Sequence, residues 1–165
     1  MRKVQNRRPL IAFTILCLMS IMLVKCVPEA ETNLPIDRSK TIVAEKFEEW
    51  RLGRSNFFEL LADSVVWEVS GRSPVSGVYR GKNDFLNRSV QPITSKLKTR
   101  IVPELISLTA DEKYVWLHWR GKATSLLGAS YENQYVWKLE LKDGKIISAV
   151  AFLDTFELNA LIEAK

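Results

Sequence analysis

YENQYVWKLEL (residues 131–141) alternates for eleven residues. Tyr131, Asn133, Tyr135, Trp137, Leu139 and Leu141 fall on one face. Glu132, Gln134, Val136, Lys138 and Glu140 fall on the other. A period of two with β-branched and aromatic residues predicts a strand with one buried and one wet face. Its neighbours read the same way. Val115, Leu117 and Trp119 oppose His118, Arg120 and Lys122 in a strand over 114–125, with Trp116 the exception on the wet side. Thr99–Leu108 and Lys145–Thr155 complete four consecutive strands. The turns between them are supplied by 110–113, 128–130 and Lys142-Asp143-Gly144.

Upstream the period lengthens. Ile42, Val43, Phe47 and Trp50 are spaced for a helix that starts at Asp37 or Ser39 and stops at Gly53. Ser55 is positioned to cap a short helix over 56–61. SVVWEVSG (64–71) reads as a strand, and a third helix is expected from Lys82 or Asn83 to Val90, ended by Pro92. Phe156–Ala164 reads as a closing helix. Helices first and an antiparallel meander after them predict an α+β fold with helices packed on one sheet face.

The chain has 165 residues, a hydrophobic content of 47% and a net charge of +5. Residues 1–30 contain five of the basic residues and one acid, which leaves 31–165 with a net charge of only +1. The folded part has little excess charge for a nucleic-acid footprint, and no nucleic acid is expected as a partner. Arg2, Lys3, Arg7 and Arg8 precede an uncharged run from Pro9 to Val24, which is short for a membrane span of ~20 residues and matches an export signal. Residues 1–30 are therefore expected to be a signal peptide or N-terminal anchor, 31–37 a linker and 38–165 the domain. Three fates stay open: cleavage near Ala30, a lipid on Cys26, or membrane attachment through 9–26. Each places the protein outside the cytoplasm. Cys17 and Cys26 are the only cysteines, so the domain has neither a disulfide nor a thiol nucleophile. A single histidine, His118, makes zinc improbable. No P-loop, dinucleotide fingerprint or Ser-His-Asp order is present, and no cofactor is expected.

WEVSGRSPVSGVYRGK (67–82), YENQYVWKLELKDGKI (131–146) and AFLDT (151–155) resemble, in order and spacing, the signature stretches of SnoaL-like domains. These belong to the nuclear-transport-factor-2-like, or ketosteroid-isomerase-like, superfamily. The resemblance spans about 38–165. It implies a curved antiparallel sheet wrapped around N-terminal helices, a cone-shaped pocket between them, and a homodimer through the outer sheet face. It fixes shape and not chemistry, because members include isomerases, cyclases, dehydratases and pockets with no known reaction.

Two carboxylates are candidate catalytic residues for proton transfer. SVVWEVSGRSPVSG (64–77) lays without a gap on the isomerase segment that carries the catalytic aspartate, and Glu68 takes that position. Asp154 resembles the pocket aspartate on the last strand of cyclases and epoxide hydrolases. A carboxylate in an apolar pocket has a raised pKa suited to moving protons. Each has an alternative: strict alternation turns Glu68 to solvent, and Asp154 stands where it can cap the closing helix. The chain lacks the isomerase tyrosine on the first helix and a second strand aspartate to flank an arginine. Trp67, Tyr79, Phe85, Leu117, Trp119, Asn133, Tyr135, Trp137 and Phe152 are the candidate ligand-binding residues, because ligand pockets are apolar with a few polar groups. The expected function is binding of a small, mostly apolar molecule, with proton-transfer catalysis or a non-catalytic binding module both open.

Overall fold

The computed structural model describes residues 35–164. The expectations for the export segment, Cys26 and Ala30 lie outside the described residues. α1 (Ile36–Arg51) buries Ser39, Val43 and Phe47, a stripe at four-residue spacing. Its N-cap is Pro35 and not Asp37 or Ser39. A proline is tolerated there because the first N–H groups of a helix have no helical partner. Gly53, at φ +70°, follows its end.

The short helix is a 3-10 turn, Phe57–Leu60. Its cap is Asn56, one residue beyond the expected Ser55. The Phe58 amide donates to Asn56 Oδ1 at 2.9 Å, and the Asn56 amide donates to Glu59 Oε1 at 3.3 Å, a reciprocal box. Ser55 instead donates to Glu49 on α1.

Six strands follow: β1 (Leu61–Val69), β2 (Gly77–Arg80), β3 (Val102–Ala110), β4 (Val115–Thr124), β5 (Ser130–Lys142) and β6 (Lys145–Leu153). They form one sheet in the order β2-β1-β6-β5-β4-β3. The β3–β6 meander is antiparallel, as is the β1–β2 pair, while β1 lies parallel to β6, so the sheet is mixed. Register shifts in the β1–β6, β3–β4 and β5–β6 pairs mark bulges, which bend a sheet.

Between β2 and β3 the chain is helical from Lys82 to Thr94: α2 (Lys82–Phe85), a π-turn (Leu86–Val90) and α3 (Gln91–Thr94). Pro92 was expected to stop this helix and does not. The register widens at the π-turn, where the Gln91 amide donates to the Leu86 carbonyl five residues back, and Pro92, which has no N–H, follows directly in the first turn of α3. α4 (Thr155–Glu163) closes the chain, burying Leu158 and Leu161.

The inner sheet face and the helices share one core. Phe47 of α1 meets Trp119 of β4 edge to face at 6.2 Å, and Phe57 lies 5.1 Å from Trp137 of β5. Contacts of this kind contribute about 0.5–1.5 kcal/mol each beyond their buried area.

Candidate functional site: an aromatic cavity

A cavity of about 420 Å³ lies between the inner sheet face and the helices. The β5 alternation turns Tyr135 and Trp137 inward. The register then sets Trp119 opposite Tyr135 and Ala151 opposite Trp137. Ala149 and Ala151 are successive inward positions of β6, beside Leu139 and Trp137. Small side chains there leave room that large ones would fill, and Ala151 is part of the cavity wall.

The wall is built from paired rings. Trp119 stacks on Tyr135 at 4.0 Å and 9°, and Trp67 on Phe85 at 4.4 Å and 18°. Trp137 stands edge-on to both tryptophans, at 4.8 Å from Trp119 and 5.3 Å from Trp67. Trp50 and Phe58 close the helical side, and Leu158 of α4 contributes from the end of the chain. The rim is the segment after α3, where Leu97, Lys98, Thr99, Arg100 and Ile101 all face the cavity. It hangs on the end of β4: the Lys98 amide donates to the Thr124 carbonyl at 2.8 Å, and Leu97 bridges to Ser125.

The polar groups of the wall are neutral or cationic. The indole N–H groups of Trp67 and Trp119 are buried with no hydrogen-bond partner, in side chains 1% and 2% exposed. Ser89, on the π-turn, is buried and lines the cavity, and its hydroxyl has no partner among the described residues. The Tyr135 and Tyr131 hydroxyls lie 2.8 Å apart. One O–H hydrogen lies between the two oxygens, which leaves one phenolic hydrogen of the pair uncommitted. Burial pushes both phenols above their usual pKa, Tyr135 strongly, so both stay neutral. The wall contains no aspartate, glutamate or histidine.

The expected site residues divide. Trp67, Phe85, Trp119, Tyr135 and Trp137 line the cavity. Leu117 is core behind the wall. Tyr79 is buried and donates its hydroxyl to the Val75 carbonyl at 2.7 Å, bracing the loop before β2. Asn133 donates to the Asp154 carbonyl at 2.8 Å and accepts from the Asp154 amide at 3.1 Å, which fastens β5 to the start of α4. Its second amide hydrogen goes to Tyr131 Oη at 3.3 Å. Asn133 is thus a buried polar group satisfied internally. Phe152 is 46% exposed, because its register opposite Val136 puts it on the outer face.

Neither expected carboxylate is in the wall. Glu68 is exposed on the outer face between Val78 and Val150, since its neighbours Trp67 and Val69 take the inward positions. Asp154 is the N-cap of α4, its Oδ1 accepting from the amides of Phe156 and Glu157. For each acid the fold adopts the second of the two readings left open by the sequence: Glu68 faces outward and Asp154 caps α4.

Other wall residues carried no site signal in the sequence. Ser89 and Val90 face inward through the π-turn, and Lys98 and Arg100 sit where a strand start was expected. The Arg100 guanidinium donates to the carbonyls of Trp50 at 3.3 Å and Arg51 at 3.0 Å, capping the end of α1. Lys96 donates to the Ala164 carbonyl at 3.0 Å, tying the rim to the end of α4.

An α+β cavity walled by the concave side of such a sheet has relatives among solved structures. A nuclear-transport-factor-2-like protein from Burkholderia thailandensis matches 76% of this chain and 97% of its own, at a TM-score of 0.63 and 18% identity. The fold is nuclear-transport-factor-2-like. A candidate SnoaL-like polyketide cyclase from Jannaschia sp. CCS1 matches 78% of this chain and 94% of its own, at 0.61 and 15%. TerC, co-crystallised with polyporic acid, matches 76% and 98%, at 0.62 and 16%. No protein-family model matches the sequence, and no curated protein is significantly similar to it. At these identities the likeness carries the nuclear-transport-factor-2-like fold and not an activity.

Proposed function

We propose that the domain binds one small, mostly apolar molecule in the aromatic cavity and acts as a binding module. The observation that carries this reading is the composition of the wall: stacked aromatic rings around about 420 Å³, several hydrogen-bond donors without partners, and no carboxylate or imidazole. Ligand pockets commonly have about this size and makeup. Proton abstraction needs a base within hydrogen-bond reach of the reacting carbon. Glu68 and Asp154, the bases the sequence offered, lie outside the wall, so the binding reading is favoured over the catalytic one. That a protein of the same fold, TerC, was crystallised with a small organic molecule fits this reading. Export through residues 1–30 would place the binding outside the cytoplasm, and the mass of the chain recovered from cells reports whether that segment is removed.

The test is titration with N-phenyl-1-naphthylamine, a neutral apolar dye. The protein should bind it saturably, with quenching of the cavity tryptophans. Ala151→Phe, which puts a ring into the cavity, should weaken binding at least about tenfold while near-ultraviolet circular dichroism stays native. Overpacking of this kind costs about 1–3 kcal/mol of stability. Absence of saturable binding, or binding untouched by the substitution in a folded variant, overturns the reading.

A further inference from the structure

The rim of the cavity has a charge pattern that the apolar wall does not explain. Between Asp84 and Glu104 the chain has no acid and carries Arg88, Lys96, Lys98 and Arg100. The β4–β5 turn that meets this segment is also free of acid between Arg120 and Glu132. Most of these cations are occupied. Arg88 pairs with Asp84 at 2.9 Å, Lys96 holds the Ala164 carbonyl, and Arg100 caps α1. Lys98 differs: it is exposed, lines the cavity, and has no ion pair or hydrogen bond from its side chain among the described residues. The Lys98 ammonium, with the Arg100 guanidinium in the same wall and no acid there to compensate either, favours a negative charge at this rim. Deeper in, the wall residues Trp67 and Trp119 hold buried indole N–H groups without partners, and the Ser89 hydroxyl can donate or accept. A ligand that brings acceptors can pair such hydrogens, while one that offers only donors leaves them unpaired.

We propose that the ligand is an amphipathic organic anion, with its apolar body between the ring pairs and its anionic oxygens at the rim against Lys98. This rests on the binding reading above and adds the class of ligand to it. The geometry also gives the orientation. The body enters toward Ala151 and Trp137, and the charged group stays where water can still solvate it, so no charge is buried.

Two dyes with one skeleton separate this proposal from the reading beneath it. 1-Anilinonaphthalene-8-sulfonate carries a sulfonate, and N-phenyl-1-naphthylamine does not. Only the part of the signal that Ala151→Phe removes is counted, which excludes dye bound elsewhere on the protein. The sulfonate should bind more tightly than the neutral dye, and its affinity should fall with added salt. Lys98→Gln, an exposed substitution that leaves the core untouched, should cut the ratio of the two affinities by about fivefold, the upper end for an exposed charge pair. Equal or weaker binding of the sulfonate overturns the anion proposal, and so does a ratio indifferent to Lys98→Gln, while cavity binding stands. If neither dye gives a signal that Ala151→Phe removes, both fail.

Discussion

Tyr135 uses its ring and its hydroxyl for different purposes. The ring stacks on Trp119 in the cavity wall, and the hydroxyl pairs with Tyr131, which also takes a hydrogen from Asn133. Burial is the first cause of the raised pKa of both phenols. The unfolded chain ionises them near the ordinary tyrosine value of about 10. The folded chain holds them neutral beyond that, so their contribution is intact below about pH 10 and is lost as the pH rises from there through the higher folded value. Tyr135→Phe removes one such group. At neutral pH the variant should be less stable than the parent by about 1 kcal/mol, the usual net value of one hydrogen bond. Above pH 10 that gap should narrow. Urea unfolding at both pH values measures it, and a gap independent of pH would show that Tyr135 is not held neutral by the fold.

β4 and β5 owe their close aromatic pairing to a residue without a side chain. Gly121 lies opposite Asn133, and a Cβ there would stand 2.8 Å from Ile101 Cγ2, 2.9 Å from a ring carbon of Trp119 and 3.3 Å from one of Tyr135. Gly121→Ala should therefore destabilise the domain by about 1–3 kcal/mol, as overpacking does. Thermal unfolding checks this, and dye titration should weaken alongside it, because all three neighbours are wall residues. At this scale the sequence was readable wherever a period of two met a buried face. The alternation appears residue by residue in the burial of β5 from Tyr131 to Glu140 and lapses at Leu141, where the β5–β6 register shifts. The same logic offered the outward reading of Glu68, but it was not carried to β6, where alternation sets Phe152 on the face opposite Ala151 and Leu153. What was not readable depended on a shift of one residue or on irregular backbone. The π-turn aims Ser89 inward through a change of helical register that no residue type announces. The rim at 97–101 looks strand-like but follows β4 through only a few hydrogen bonds. Asp154 is a case where composition allowed two roles and the local amides at the start of α4 decided between them.

For the whole molecule, the sheet order sets how folding must proceed. β1 completes the sheet only by pairing with β6, Val66 with Ser148 and Val69 with Ala151, so its partner is made at the far end of the domain. Folds dominated by such distant pairings fold in roughly milliseconds to seconds, because loop closure precedes its reward. Stopped-flow refolding followed by tryptophan fluorescence should fall in that range, and a microsecond phase carrying the full amplitude would contradict it. Cys17 and Cys26 both precede the described residues, so no disulfide shortens these closures within them. The last helix is where this topology meets practice. α4 is held at its start by Asn133 and at its end by Lys96, two residues from Lys98, and its Leu158 is part of the wall. A tag or fusion partner joined after α4 is therefore joined to an element of the cavity wall. Purification handles, immobilisation chemistry and reporter domains belong ahead of α1, away from the Lys96–Ala164 hydrogen bond.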